Sequence, residues 1–268
     1  MLGAIFGDIV GSPFEFRNTK TKSFEMFVKG CHFTDDSVMT LAVAKALLQY
    51  DGTQDLKAFQ DILITSMHMY GHSYPYVGYG GNFSWWLIKK CRLPYNSFGN
   101  GSAMRVSPVA WYANSLEEAL TLAKASAEVT HNHPEGIKGA VVTAGAIYLA
   151  KTGASREEIK NFIGSYYTLD FTLDEIRPTY TFDVSCGGSV PQAMQAFLES
   201  NSFEDAIRNA VSIGGDSDTI AAITGSLAEA FYGMTDEQKE KTLSYLSDEL
   251  KETVFEFKAK YQMPLSSK

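Results

Sequence analysis

The sequence predicts an all-α fold, in which orthogonally packed helices form one compact domain. Through most of the chain, apolar residues recur three and four positions apart, which is the spacing of one buried helix face. Ser115 and Ser155 occupy the positions of helix N-caps, and Glu118 and Glu158 follow three residues later as capping-box partners. Alternating runs typical of strands are scarce, and the best of them, TYTFDVS at 179–185, is short.

The apolar spacing predicts a series of separate helices along the chain. The first of them, SVMTLAVAKALLQY, is rich in apolar residues and predicts a buried helix. In chain order the predicted helices cover 37–50, 55–70, 115–130, 135–151, 156–167, 189–200, 203–213 and 218–233. The charged segment 236–260 predicts one long helix or two shorter ones. Since no linker, low-complexity tract or internal repeat divides the chain, we expect a single domain over residues 1–268.

Two glycine-rich stretches interrupt the predicted helices. Residues 72–86 combine glycine with aromatic side chains, and residues 95–108 form a Gly/Asn turn that opens into a helix. Loops of this size inside a helical domain usually carry function. We therefore expect both stretches to contribute to a functional site.

Composition and charge exclude several classes of protein. The 268 residues include 23 Lys and Arg against 31 Asp and Glu, a formal net charge of −8, and no run of basic residues forms a stripe. Direct binding to nucleic acid or to a membrane surface is therefore not expected. The three cysteines lie far apart, which argues against a disulfide framework or a cysteine zinc site.

The N-terminal stretch does not have the pattern of a signal peptide, because it lacks a basic segment and Asp8 interrupts its apolar residues. No apolar run reaches the roughly 20 residues that a membrane span needs. We expect a soluble cytoplasmic protein, and a monomer is the default expectation for its oligomeric state.

Two acidic clusters, TDDS at 34–37 and DSDT at 216–219, each precede an apolar helix. Taken singly, such a cluster is typical of a helix N-cap, because Asp and Ser accept bonds from free amides and acids gain from the helix dipole. A cap needs only one oxygen, however, and each cluster crowds two carboxylates and two hydroxyls into four residues. Gly214 and Gly215, just before the second cluster, allow backbone conformations that other residues resist.

If the two helix N-termini meet, four carboxylates and two threonine hydroxyls converge, and without compensation their burial is very costly. Divalent cations would relieve that cost. Oxygen ligands alone suit Mg²⁺ or Mn²⁺, with Ca²⁺ as a further option, and the lack of His and Cys argues against zinc or copper. The spacing by itself leaves a helix cap and a metal site as open alternatives.

Four motifs stand in order along the chain: GDIVGSPFE (7–15), TDDSVMT (34–40), GNGSAMRVSP (99–108) and GGDSDTIAAITG (214–225). Together they resemble the motifs of the ADP-ribosylglycohydrolase family. The resemblance implies an all-α domain with a dinuclear centre of two Mg²⁺ or Mn²⁺ ions at helix N-termini. It also implies hydrolysis of the glycosidic bond at C1″ of the distal ribose in ADP-ribosylated proteins or small molecules, with release of ADP-ribose.

The same resemblance implies roles for individual acidic and hydroxyl side chains. The metal ligands would be Thr34, Asp35, Asp36, Asp216, Asp218 and Thr219. The catalytic residues would be Glu15, Asp35 and Asp216, one of which accepts a proton from the attacking water. We expect Asp8, in the first motif, to make hydrogen bonds rather than to bind a metal.

On the substrate side, the resemblance implies contacts from residues of the two glycine-rich stretches and from one histidine. They are Tyr79, Gly80, Ser97, Phe98, Gly99, Asn100, Gly101, Met104 and His131. Amides at a helix start favour an anion, so the loop at 97–101 suits a diphosphate, with Ser97 and Asn100 bonding phosphate or ribose. Phe98 either stacks on adenine or packs in the core. His131 either contacts a phosphate or the proximal ribose, or is a satisfied helix-terminal histidine, whereas Tyr79 and Gly80 resemble a loop that lines the distal ribose.

Other functions stay open at this point. A metal-dependent nucleotide phosphohydrolase would also use acidic clusters and a phosphate-binding loop. A non-catalytic protein, either structural or ADP-ribose-binding, is a further alternative, although all six implied ligand positions are present. The group attached to the ribose, whether arginine, serine, another side chain or a metabolite, does not follow from the sequence.

Overall fold

Helices provide the regular secondary structure in the computed structural model, which describes residues 1–50, 52 and 55–261. A 3₁₀ turn at Ser12–Phe14 follows the first helix. The α-helices are α1 (Leu2–Gly11), α2 (Asp35–Gln49), α3 (Leu56–Ser73), α4 (Gly81–Ile88), α5 (Gly101–Met104), α6 (Ser107–Tyr112), α7 (Leu116–Glu128), α8 (Pro134–Lys151), α9 (Arg156–Gly164), α10 (Leu173–Ile176), α11 (Cys186–Leu198), α12 (Phe203–Ser212), α13 (Ser217–Tyr232), α14 (Asp236–Ser244) and α15 (Asp248–Tyr261).

The all-α prediction is confirmed, and each predicted helix has a counterpart in the structure. The segment 236–260 forms two helices, α14 and α15. The strand-like segment 179–185 forms no strand in the described part of the chain; it contributes one isolated antiparallel bridge, between Gly99 and Ser185. A short β-prone run has no strand to pair with in a helical fold, so its propensity is overridden. Residues 262–268 of the predicted domain lie outside the described residues.

Helix α13 lies at the centre of the molecule. Its residues 217–230 are all buried, and it packs against α1, α8, α11 and α12. A helix that is buried on every side needs no polar face, and apolar or small residues accordingly occur around most of this helix. The N-terminus of this central helix carries the second acidic cluster.

Helix α1 packs against α13 through glycines spaced four residues apart. A Cβ on Gly7 would lie 2.0 Å from the carbonyl oxygen of Ala221, and one on Gly11 would lie 2.5 Å from the Cα of Asp218. The two backbones therefore approach more closely than any side chain would allow. This contact fixes Asp8, which lies on the same helix, beside the start of α13.

Helix α2 brings the first acidic cluster to the same place. It packs against α1, α3, α6 and α15, and its N-terminal residues begin next to α1. The short helix α5 packs against α8 and α13 and places the second glycine-rich loop beside them. Among the described residues, no helix combines the length and the hydrophobicity that crossing a membrane requires.

Candidate active site

The two acidic clusters meet, although Asp36 of the first and Thr219 of the second lie 183 residues apart in sequence. The hydroxyl of Thr219, in the first turn of α13, donates a hydrogen bond of 3.1 Å to Oδ2 of Asp36, in the first turn of α2. All six predicted metal ligands line one cavity of about 590 Å³, and Glu15 lines it too. Tertiary packing thus assembles at one place the side chains that the motifs singled out.

The start of α2 is capped by groups other than its two aspartates. Thr34 is the N-cap residue, and its hydroxyl oxygen accepts a bond of 3.3 Å from the amide of Asp36. Asp8 of α1 accepts bonds from the amides of Thr34 and Ser37 at 2.9 and 3.1 Å. Since these groups satisfy the helix N-terminus, the carboxylates of Asp35 and Asp36 are left to face the cavity.

Asp8 makes hydrogen bonds, as the sequence predicts for it. Besides the two amides, the hydroxyls of Thr34 and Ser37 donate to its carboxylate. A carboxylate offers about four acceptor sites, so these four donors use its capacity. Its oxygens also lie within 4.8 Å of ligand atoms of Asp36 and Asp218, but its role here is to hold the start of α2 in place.

The start of α13 is shaped by two glycines in left-handed conformations. Gly214 and Gly215 have φ angles of 73° and 75°, which only glycine adopts readily. The side chain of Asn18 bonds both the amide and the carbonyl of Gly215, at 2.9 and 3.1 Å. The turn directs Asp216 into the cavity, where its carboxylate caps no backbone amide of α13 and instead interacts with the side chains of Asp218 and Thr219.

Carboxylates crowd together at the base of the cavity. Oxygens of Glu15, Asp216 and Asp218 lie within 4.8 Å of one another, and Asp218 also belongs to the group with Asp8 and Asp36. Burial, and then neighbouring carboxylates, raises the pKa of Asp36 and of Asp218 well above the usual value. The charged groups that most affect the pKa of these two residues are themselves acids, and among the described residues no lysine or arginine forms an ion pair with either carboxylate.

The residues present fit a divalent metal ion. Oδ1 of Asp36 is buried and has no hydrogen-bond partner among the residues that the structure describes, which is rare for a buried polar atom and costly for a charged one. The surrounding donors are carboxylate and hydroxyl oxygens, the ligands that hard cations such as Mg²⁺ and Mn²⁺ prefer. A cation bound here would pair the lone oxygen and offset the repulsion among the acids.

Most of the predicted substrate-binding residues line the same cavity. They are Gly80, Ser97, Gly99, Asn100, Gly101, Met104 and His131. The loop that carries Gly80 is held over the acidic cluster, because the amide of Asp35 donates a bond of 2.9 Å to the carbonyl of Val77.

Tyr79 and Phe98 are placed outside the cavity lining. The ring of Tyr79 packs against Phe83, and its buried hydroxyl has no hydrogen-bond partner within the described ranges. Phe98 is 54% exposed, so it is not a core residue, and its ring meets that of His133 edge-on at 5.6 Å. Stacking of Phe98 on an adenine stays a prediction.

In the glycine loop at 97–101, the sequence predicts backbone amides that are free to bind an anion, but two of these amides already donate hydrogen bonds within the protein. The amide of Gly99 donates to the hydroxyl of Ser97, and that of Asn100 donates to the carbonyl of Val184. The side chain of Asn100 donates bonds to Ser189 at 3.0 Å and to Asp216 at 2.7 Å. Asn100 therefore couples the loop to the acidic cluster, a role that its sequence position did not indicate.

Two aromatic side chains at the mouth of the cavity were not singled out by sequence reasoning. The rings of Phe16 and Phe182 stack with their centroids 6.0 Å apart, and both side chains line the cavity. Phe16 follows Glu15 directly, which is the only sequence signal that could have drawn attention to it. Phe182 comes from the segment that resembled a strand.

Comparison with known proteins agrees with the four motifs. The model of the ADP-ribosylglycohydrolase family matches residues 1–254. The chain belongs to the ADP-ribosylglycohydrolase family. The resemblance drawn from the motifs is thereby confirmed, and membership identifies the protein as a glycohydrolase enzyme.

Relatives of this glycohydrolase match along most of their length. ADP-ribosylhydrolase ARH3 of Homo sapiens is 26% identical over 314 residues, which cover 87% of this chain and 84% of the relative. ADP-ribosylarginine hydrolase Tri1 of Pseudomonas putida (strain GB-1) is 26% identical over 270 residues, with 88% and 70% covered. A solved structure described as an ADP-ribosylglycohydrolase-related protein complex superposes with a TM-score of 0.68 at 23% identity, over 98% of this chain and 97% of its own, and shows the same fold.

Proposed function

We propose that this glycohydrolase cleaves the glycosidic bond at C1″ of ADP-ribose in ADP-ribosylated proteins or small molecules, and that it requires divalent cations to do so. The observation that carries the proposal is the convergence of buried acids from α1, α2 and α13 around the unpartnered Oδ1 of Asp36. Such a gathering is stable only if something positive neutralises it. The names of the relatives, ADP-ribosylhydrolase and ADP-ribosylarginine hydrolase, support the substrate class.

Two Mg²⁺ or Mn²⁺ ions are proposed to bind at the start of α2 and of α13. Their ligands would be Thr34, Asp35, Asp36, Asp216, Asp218 and Thr219. When bound, the cations would supply Lewis-acid polarisation of substrate oxygens and make a nearby water more acidic.

The acids of the site contribute chemistry of their own. As the bond to C1″ lengthens, positive charge develops on the ribose, and the fixed carboxylates of Asp35 and Asp216 favour that charge. Because these groups are already in place, they need no reorganisation when the charge appears. The scheme differs from the simple pair of carboxylates found in common glycosidases, because more than two acids face the reacting centre.

Glu15 is the acid we propose to accept the proton of the attacking water. It lines the cavity, it is half-buried, and its oxygen lies close to those of Asp216 and Asp218. Burial, followed by the charges of Asp216 and Asp8, raises the pKa of Glu15 to about 7. A base whose pKa lies near neutral pH both takes up and returns a proton readily.

The test replaces the two acids that begin α13. The Asp216→Asn/Asp218→Asn double variant is expected to lose turnover while its circular dichroism stays helical, and Asp170→Asn, at an exposed acid that does not line the cavity, serves as the matched control. Full activity in the double variant would refute the proposed site.

Substrate and product are identified in the same assay. A panel of defined ADP-ribosyl linkages, to arginine, to serine and to small molecules, is incubated with Mg²⁺, with Mn²⁺ or with a chelator. Free ADP-ribose as the product supports glycohydrolysis. Release of AMP or inorganic phosphate would instead identify a nucleotide phosphohydrolase, and binding without any product would identify a non-catalytic protein.

A further inference from the structure

A fully buried arginine lies behind the glycine loop and has no acidic partner in the described part of the chain. Arg105 is 1% exposed, and among the described residues no carboxylate lies within ion-pair distance of it. Burial lowers the pKa of its guanidinium to about 10. A buried charge without a counter-ion is costly, so its retention at this place calls for a physical reason.

The arginine begins a short chain of hydrogen bonds. Its Nη2 donates to the hydroxyl oxygen of Thr130 at 2.8 Å and to the carbonyl of Ser126 at 3.2 Å. The same hydroxyl of Thr130 lies 2.8 Å from Nδ1 of His131. Both Thr130 and His131 are buried, at 0% and 5% exposure, so solvent does not compete for these bonds.

The direction of each bond follows from what each group is able to donate. A guanidinium only donates, so the oxygen of Thr130 accepts from Arg105. If this oxygen also accepted a bond from Nδ1 of His131, the hydroxyl hydrogen would have no acceptor among the hydrogen bonds of the described residues, so the hydroxyl is assigned as the donor and Nδ1 as the acceptor. A neutral imidazole that accepts at Nδ1 carries its proton on Nε2.

The protonated nitrogen faces the glycine loop. A Cβ built on Gly101 would lie 3.2 Å from Nε2 of His131, and one built on Gly99 would lie 3.7 Å from it. His131, Gly99 and Gly101 all line the cavity. The Nε2–H group is therefore available to a ligand that occupies the cavity beside this loop.

We propose that Arg105 and Thr130 are positioning residues, which hold His131 as the neutral Nε2–H tautomer so that it donates a hydrogen bond to a phosphate oxygen of the substrate. The identity of that ligand rests on the proposed function, whereas the tautomer does not. Burial, followed by the charge of Arg105, lowers the pKa of His131 well below its usual value and is consistent with a neutral ring. The arrangement supplies a donor of fixed direction and, behind it, a permanent positive charge that an anion would experience through a low-dielectric interior.

The tautomer is measured without any ligand, by ¹⁵N nuclear magnetic resonance of protein labelled in its histidine rings. A His131→Asn variant identifies the resonances of His131 among those of the five histidines. At neutral pH the wild type and Thr130→Ser, which keeps the hydroxyl, are expected to show protonation at Nε2 alone. Thr130→Val is expected to show a mixture of tautomers or protonation at Nδ1. An imidazolium or an Nδ1–H ring in the wild type would overturn the inference.

Binding is measured by calorimetry with ADP-ribose as the probe. Thr130→Val is expected to bind about tenfold more weakly than the wild type, the effect of one hydrogen bond to a charged group, and Thr130→Ser is expected to bind normally. Thr143→Val is the matched control, because Thr143 is a buried threonine whose hydroxyl has no partner. Its far-ultraviolet circular dichroism and binding should match those of the wild type.

The outcomes separate this inference from the proposed function. Unchanged affinity in Thr130→Val, with the expected tautomer in the wild type, would refute the positioning role while leaving the enzyme's activity as proposed. A wild type that has the expected tautomer but does not bind ADP-ribose would refute the proposed function and the ligand named here. If Thr130→Val weakens the binding of ADP-ribose and Thr130→Ser binds it as tightly as the wild type, the result supports both the positioning role and the proposed function.

Discussion

At the scale of single residues, Asp36 is the acid whose surroundings are least complete. Its Oδ2 accepts a bond from Thr219, but its Oδ1 is buried without a partner and its charged neighbours are acids. In the absence of a cation this carboxylate is expected to destabilise the fold, and in its presence we propose that it becomes a ligand. The same group is therefore expected to have opposite effects under the two conditions.

An Asp36→Asn variant tests that reversal. In a chelator it should unfold at a higher temperature than the wild type, by about 2–4 °C if repulsion of the order of 1 kcal/mol is removed. In saturating Mg²⁺ the order should reverse, because the wild type gains more from the bound cation. Differential scanning calorimetry under both conditions is the measurement, with Asp170→Asn as the control. A variant that is less stable than the wild type in the chelator as well would contradict the prediction.

Single residues also show where the motifs were insufficient. The resemblance implied that Asn100 bonds phosphate or ribose, but its amide group is already bonded to Ser189 and Asp216. An Asn100→Ala change should therefore act on the acidic cluster, weakening activity and metal affinity together. Metal titration by calorimetry checks this, and a loss of substrate affinity with unchanged metal affinity would show the implied substrate contact instead.

At the scale of helices, the contact between α1 and α13 positions the site. Glycines at residues 3, 7 and 11 let the two backbones touch. The end of α1 thereby abuts Asp218, while Asp8 on the same helix holds the start of α2. The distance between the two acidic clusters consequently depends on a contact made of backbone alone.

Gly7→Ala is expected to disturb both stability and the proposed metal site. The new methyl group would lie 2.0 Å from a backbone oxygen of Ala221, which forces the helices apart and costs about 1–3 kcal/mol. Affinity for Mg²⁺ should fall as well, because α1 carries the groups that hold α2. Urea unfolding and metal calorimetry are the measurements.

The control for this change is Gly164→Ala, at the end of α9, where a new Cβ meets nothing within 4 Å. It should leave metal affinity unchanged and make the protein equally or slightly more stable, since alanine restricts the unfolded chain. If Gly7→Ala behaved in the same way, the proposed role of the close contact would be wrong.

At the scale of the whole molecule, the buried acids link stability to pH. An acid whose pKa is raised in the folded state binds more protons there than in the unfolded state. The free energy of unfolding that it contributes is therefore greatest at low pH and is lost as the pH rises towards the folded pKa. For Glu15 the window extends from 4.5 to about 7. The lowered pKa of His131 has the opposite effect on stability as the pH falls below its ordinary value of 6.5.

The prediction concerns the metal-free protein. In a chelator, the wild type should lose stability relative to Glu15→Gln as the pH is raised from about 5 to 7, since only the wild type has this acid and both retain His131. Saturating Mg²⁺ should reduce the difference, because a cation compensates the charge. Thermal unfolding over this pH range is the measurement, and parallel curves for the two proteins in the chelator would contradict the assignment.

The sequence by itself determined the helical class, the longer amphipathic helices and the acidic and glycine motifs. Helices with one buried face repeat their apolar residues every three to four positions, and the acidic clusters lie together in the chain. Helix α1 was not predicted, because all its residues are buried and its sequence therefore lacks the alternation of an apolar and a polar face. Helices α4, α6 and α10 are too short to show a period.

Only the tertiary structure decided how those motifs are connected. In the folded protein the carboxylate of Asp8 accepts four hydrogen bonds, the side chain of Asn100 donates to Asp216, and the ring of Phe98 is exposed. The tertiary structure also linked Arg105 through Thr130 to His131, across residues that no local pattern relates. The physical reason is that a local pattern reports the period and the cap of one segment, whereas hydrogen-bond partners, burial and charge repulsion are set by segments that are remote along the chain and become neighbours only when the helices pack.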